Sequence, residues 1–201
     1  MPMNLTAVLF IAREAGIEVF DYCIRENIKV ITVYTHPYEP QVSANAELRE
    51  RREYKAIADR CHKYGIPLHA VPPKDIPDCR YVIACSWRNH ISRRIREKAT
   101  LGAINLHRGR LPQYAGAEPV KRAIQDKAEH LYVTAHHLEE GIDTGATICS
   151  VRRPLRHVPI CNIDSLVVVE KRKLLPMYSR ALRAAIDITS DDFIYGKGLP
   201  V

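Results

Sequence analysis

Apolar and polar positions in this chain fall into blocks with two different periods. "LTAVLFIA" (5–12) is a short apolar run of the kind a strand buried on both faces shows, and "IKVITVYT" (28–35) is rich in β-branched residues and reads as a second strand. Between them, "EVFDYCIREN" (18–27) has helical spacing at Val19, Tyr22, Cys23 and Glu26. Residues 43–64 predict a long helix. Tyr54, Ile57, Ala58 and Cys61 line one face and Glu and Arg the other, with Gly65 closing it and Pro67 following. The pattern then predicts strands over 67–72 and 81–86, a helix over 90–99, a strand over 103–108, and a helix over 118–127 with Pro119 in its first turn. Strands follow over 131–138 and 146–155. Residues 163–187 read as helix, kinked or split by Pro176.

Strand and helix alternate from the N-terminus. This predicts an α/β fold: one Rossmann-like domain over 1–187, an open, mostly parallel sheet with helices on both faces, and a C-terminal tail over 188–201. A length of 201 residues with 46% hydrophobic content suits one substantial core. Ligands of such sheets bind beyond the carboxyl ends of the strands. His107 ends the fifth strand and Trp87 lies just past the fourth.

Charge adds little direction. The net charge of +7 favours anionic partners such as nucleotides or folates, but the basic residues are scattered and solubility accounts for them equally well. "RERREYK" (49–55) interleaves Arg with Glu on an amphipathic helix, so it reads as a solvated face and nucleic acid is not the expected partner. No apolar run reaches the ~18 residues of a membrane helix. The first residues read as a strand instead of a signal peptide, so the expected location is the cytoplasm. The six cysteines (23, 61, 79, 85, 149 and 161) include no Cys-x-x-Cys pair, which leaves them as buried thiols and gives no metal motif. His136 and His137 diverge on a strand and do not make a metal pair.

The chemistry concentrates in two segments. In "INLHRGRLPQYAGAEP" (104–119), Asn105 and His107 share one face of a strand and run into a loop holding Pro112, Gly116 and Pro119. In "TAHHLEEGIDTGATI" (134–148), Gly141 and Gly145 bracket Asp143 in a tight loop after a strand. Singly, Asn105 is most often a satisfied strand-end amide, His107 a structural histidine and Asp143 a turn carboxylate. Together they resemble the formyltransferase family that uses N10-formyltetrahydrofolate. Its pattern is matched by Asn105, His107, Leu111, Pro112, Tyr114, Gly116, Thr134, His136, Asp143 and Gly145. The resemblance covers most of residues 1–155 and little of the chain after them.

That resemblance implies formyl transfer from N10-formyltetrahydrofolate to an amine. Asn105, His107 and Asp143 would be the catalytic trio: Asn105 donating to the oxyanion, His107 taking the proton and Asp143 orienting the imidazole. It implies folate contacts at Cys85, Ser86, Trp87, His136, Gly141 and Asp143, and acceptor contacts at Arg108, Arg110 and Tyr114. Many relatives have Pro-Ser-Leu where this chain has Arg108-Gly109-Arg110, and Arg where it has Ala115. These departures fall on the acceptor side. "EEGIDTG" is most similar to the branch acting on nucleotide-linked amino sugars, such as UDP- or dTDP-4-amino-4,6-dideoxyglucose. Glycinamide ribonucleotide and methionyl-tRNA enzymes are the alternatives, with a non-catalytic folate-binding relative as a third. Leu166, Val167, Leu174, Leu175, Tyr178 and Leu182 could cover the sheet or pair with a second copy in a homodimer. Tyr195 is a candidate contact to a nucleotide base.

Overall fold

Parallel strands cannot be joined by a tight turn; each pairing needs a crossover segment. The first half of the chain is built that way. The computed structural model describes residues 4–39, 49–156 and 162–194, the last three of these by backbone alone. It divides into two units, Met1–Thr100 and Leu101–Val201.

In the first unit, β1 (Thr6–Ile11) pairs in parallel with both β2 (Lys29–Tyr34) and β4 (Cys79–Cys85), and β2 pairs in parallel with the short β3 (Leu68–His69). The crossovers are α1 (Arg13–Arg25) and α2 (Arg52–Tyr64). Ala7 to Ile11 are at most 1% exposed, which is why this strand reads as a continuous apolar run. Burying each large aliphatic side chain there contributes about 1.5–3 kcal/mol. α2 ends where Gly65 adopts φ 63°, and the N–H groups of Gly65 and Ile66 bond back to His62 and Cys61. Helix 43–64 thus begins only at Arg52, with 43–48 outside the described residues; the expected strand 67–72 shrinks to two residues and helix 90–99 to the single turn α3 (Arg93–Arg96).

The second unit is antiparallel. β5 (Ala99–His107), which begins at the boundary, pairs with β6 (His130–His137), and β6 with β7 (Thr147–Pro154). Residues 138–146 between β6 and β7 are fewer than the dozen or so a parallel crossover needs, so these strands must reverse direction. The parallel character of the fold therefore lies in the first unit. α4 (Pro119–Gln125) starts at Pro119 as expected. The helical C-terminal region is split at Leu174 into α5 (Ile163–Lys173) and α6 (Leu175–Ile194), with Pro176 in the first turn of α6, where its missing N–H costs nothing. Residues 188–194 continue α6 instead of opening a tail, and Tyr195 lies outside the described residues. Val167, Leu174, Tyr178 and Leu182 are buried within the unit. No helix among the described residues is long and apolar enough to cross a membrane.

Candidate active site

The pairing of β5 with β6 sets Asn105 opposite His136 and His107 opposite Thr134, four polar side chains on one face of the ladder. Asp143 comes from the loop after β6, where its backbone takes φ 53°, a left-handed conformation that Asp tolerates better than most residues. The loop can close this tightly because position 145 is glycine: a Cβ there would stand 1.8 Å from the His137 carbonyl oxygen.

Asp143 is the hub. Its Oδ2 lies 3.1 Å from His107 Nδ1 and accepts from the Gly116 N–H at 2.8 Å. Its Oδ1 accepts from Asn105 Nδ2 at 3.2 Å and lies 3.4 Å from His136 Nε2. Burial alone would push this carboxyl up. The donors around it and the charge of His107 outweigh burial and hold Asp143 below the usual carboxylate range.

The partners fix the tautomers. His136 Nδ1 faces the His137 carbonyl oxygen at 2.8 Å, and a carbonyl only accepts, so the hydrogen is on Nδ1. Nε2 then accepts from Asn105 Nδ2 at 3.0 Å. Both amide hydrogens of Asn105 are thereby engaged within the protein, so an oxyanion would have to displace one of them. His107 Nε2 faces the Tyr114 carbonyl oxygen at 2.7 Å and carries a hydrogen for the same reason. What remains is the space between His107 Nδ1 and Asp143 Oδ2. With a neutral ring these are two acceptors facing each other; with one proton added they form an imidazolium–carboxylate pair. Burial lowers the pKa of His107, and the Asp143 charge and the Tyr114 carbonyl only partly offset it. The arrangement is a slot that accepts one proton and holds it loosely.

The other expected site residues fall out differently. Tyr114 is 4% exposed, so its side chain is part of the core, and its carbonyl is what reaches the cluster. Arg110 is exposed, with its guanidinium 5.8 Å from the Tyr132 ring centre, and Arg108 is half-buried. Gly141 is exposed in the Asp143 loop, and a Cβ there would collide with Thr144. His137, as expected, does not join the cluster. In the first unit, the Cys85 side chain is fully buried, which leaves its backbone for any contact with folate. Ser86 takes φ 56°, and Trp87 stacks on His36 with ring centres 4.0 Å apart. Sequence reasoning missed the Gly116 N–H and the Tyr114 carbonyl as members of the site. Both lie in the "LPQYAG" segment, but a motif reports side chains, and here backbone atoms do the work. Among the described residues, no group of three or more His, Cys, Asp or Glu is placed to hold a metal ion.

Comparison with known proteins gives this geometry a context. The phosphoribosylglycinamide formyltransferase structure from Streptococcus pneumoniae TIGR4 superposes with a TM-score of 0.61 at 19% identity, covering 90% of this chain and 98% of that one. A sugar 3N-formyltransferase, WlaRD, solved in the presence of dTDP and 5-N-formyl-THF, superposes with a TM-score of 0.62 at 13% identity, covering 92% of this chain and 64% of that one. At these identities the likeness is one of fold, and it supports the α/β class. The methionyl-tRNA formyltransferase of Bacteroides thetaiotaomicron is 26% identical over 189 residues, 89% of this chain and 55% of that protein. The chain spans about half the length of such relatives. The family described as formyl transferase matches residues 75–176, just over half the chain and the whole stretch from β4 through α5. The chain belongs to the formyl transferase family.

Proposed function

We propose that this protein transfers a formyl group from N10-formyltetrahydrofolate to the amino group of a nucleotide-linked amino sugar. The observation that carries the reaction type is the slot between His107 Nδ1 and Asp143 Oδ2, 3.1 Å wide, in a ring whose other nitrogen is already committed to the Tyr114 carbonyl. An attacking amine must lose a proton, and this slot is built to receive one. The folate supplies the formyl group. Asn105, held by Asp143 and His136, brings an amide donor beside the same acid, and exchanging one internal bond for a bond to the developing oxyanion would lower the barrier by less than the ~3–4 kcal/mol of an uncommitted donor. The Gly116 N–H and the Asn105 amide hold the Asp143 carboxylate in place.

The catalytic domain is read as 1–187, with folate contacts at Ser86, Trp87, His136 and Gly141 as the family resemblance implies. The buried indole N–H of Trp87 has no partner among the described residues, which suits a residue waiting for an acceptor. The amino-sugar acceptor is supported by the "EEGIDTG" loop, by Arg108 and Arg110 beside the cluster, and by the fold likeness to a sugar 3N-formyltransferase. The curated sequence relatives favour methionyl-tRNA as the second reading. The test is a turnover assay with N10-formyltetrahydrofolate and UDP- and dTDP-4-amino-4,6-dideoxyglucose, their 3-amino isomers, glycinamide ribonucleotide and methionyl-tRNA. A mass gain of one formyl group on an amino sugar is the expected result. A gain on another acceptor alone would replace the acceptor and keep the chemistry, and no gain on any would sink both.

A further inference from the structure

Two guanidinium groups each keep a buried nitrogen without an acceptor among the described residues: Nη1 of Arg51, beyond β2, and Nε of Arg122, in α4. Arg51 is 4% exposed; its Nε donates to the Tyr38 carbonyl at 3.0 Å and its Nη2 lies 3.3 Å from Glu39 Oε2. Those contacts tie together the segment between β2 and α2. The contacts of Arg122 lead to the candidate active site.

α4 buries Pro119, Val120, Ala123 and Ile124, which leaves Arg122 half-buried at the flank of that face. Its guanidinium meets the 110–116 turn in two ways. Nη2 donates to the Ala115 carbonyl oxygen, and the guanidinium carbon lies 5.8 Å from the centre of the Tyr114 ring. A planar fork can lie against a ring and donate along its edge at once, which an ammonium cannot do. An unmatched buried donor destabilises a fold, so the bond to Ala115 is what this side chain gains by reaching inward.

The Ala115 carbonyl and the Gly116 N–H belong to one planar peptide unit and point in opposite directions. Arg122 holds the first, and the second donates to Asp143 Oδ2 at 2.8 Å. The unit would otherwise turn easily. Gly116 has φ 79°, and a Cβ there would meet nothing within 4 Å, so neither a side chain nor close packing at this residue fixes the plane. The same Oδ2 lies 3.1 Å from His107 Nδ1. A rotation of the Ala115–Gly116 plane therefore changes the oxygen that faces the base.

We infer that Arg122 is a positioning residue for formyl transfer: by holding the Ala115–Gly116 peptide it aims the Gly116 N–H at Asp143 and so sets the acid that faces His107. This deepens the formyl-transfer reading and rests on it for the effect on turnover.

The experiment is NMR of the isotope-labelled full chain, with turnover measured alongside, for the wild type, Arg122→Met and Arg122→Lys. In the wild type the Gly116 amide proton should lie downfield and move as Asp143 titrates. In Arg122→Met that movement should shrink by roughly half or more, and the Asp143 carboxyl should titrate at higher pH because it has lost a donor. The kcat should fall roughly tenfold, the scale of a small misplacement in a site. Arg122→Lys, which can still donate to Ala115, should recover part of all three. If Arg122→Met does not fold, Arg122→Gln, shorter than arginine, takes its place. A Gly116 amide and an Asp143 titration that do not change on loss of the guanidinium would overturn the inference, whatever the turnover. A wild type without turnover on any acceptor, whose Gly116 amide still answers to Arg122, would sink the formyl-transfer reading while supporting the hold on the peptide.

Discussion

The cluster at the end of β5 and the cluster beyond β2 and β4 are both buried and polar, yet they are finished to different degrees. Around Asp143 every donor has an acceptor: both hydrogens of Asn105, the Gly116 N–H, and the ring hydrogens of His107 and His136. Around Arg51 one donor, Nη1, has no acceptor among the described residues, and charges of both signs lie nearby. The first cluster is complete except for one proton, which is what a residue set built for proton transfer should look like. The second pairs Arg51 with Glu39 yet leaves one guanidinium nitrogen without an acceptor among the described residues. Burial makes both contrasts expensive to maintain, because an unmatched buried donor costs about 1–3 kcal/mol.

The largest effect should come from opening the complete cluster. His107→Ala and Asp143→Asn should each cut turnover by ~10²-fold or more while the protein stays folded. The pH profile sharpens this. Since the Asp143 charge raises the His107 pKa, Asp143→Asn should move the acid limb of kcat/KM to lower pH. Turnover within threefold of wild type in either variant would remove that residue from the mechanism. Next comes the loop that delivers the acid. Gly145→Ala drives a Cβ into the His137 carbonyl and should cost on the order of 3 kcal/mol in urea denaturation.

Acid should then expose the two clusters in succession. In the folded protein His36 has a pKa of about 4 against 6.5 when unfolded, so the unfolded chain binds more protons in that window. Stability should fall as pH drops from 6.5 to about 4, and His36→Gln should flatten that slope. Asp143 is depressed below 3.8, so its contribution is present above that value and is lost as pH falls through the folded pKa. A stability curve that is flat between pH 6.5 and 4 would contradict the lowering of the His36 pKa by burial and by Arg88 and Arg51. The smallest effect belongs to the exposed arginines of the second unit. Arg110→Ala should cost only ~0.5–1 kcal/mol from its contact over Tyr132. Together with Arg108→Ala it should raise KM for a nucleotide-linked acceptor while kcat holds, and an unchanged KM would return both residues to the surface.

The fold was legible wherever burial imposed a period. β1, β2, β4, β5, β6, β7 and α4 stand close to where apolar spacing put them, because a strand or helix with one committed face cannot slip without exposing it. The readings failed where length was decided by pairing. "PLHAVP" keeps two strand residues because β2 offers it only a short edge, and "HISRRIREKA" keeps one turn of helix. Nothing in the spacing of β6 or β7 revealed their reversed direction, since alternation is the same in parallel and antiparallel ladders.

For the site, the sequence by itself determined the chemical inventory: an amide and an imidazole on one strand face, and an acid in a glycine loop. Side-chain period and glycine freedom are local properties, so they can be read from neighbours in the chain. Tertiary structure decided the rest. It turned Tyr114 inward and used its carbonyl, brought Gly116 to Asp143, occupied both hydrogens of Asn105 and buried Arg51 against the Tyr38 carbonyl and Glu39. Those outcomes depend on which distant atoms meet, and a one-dimensional pattern carries no record of that.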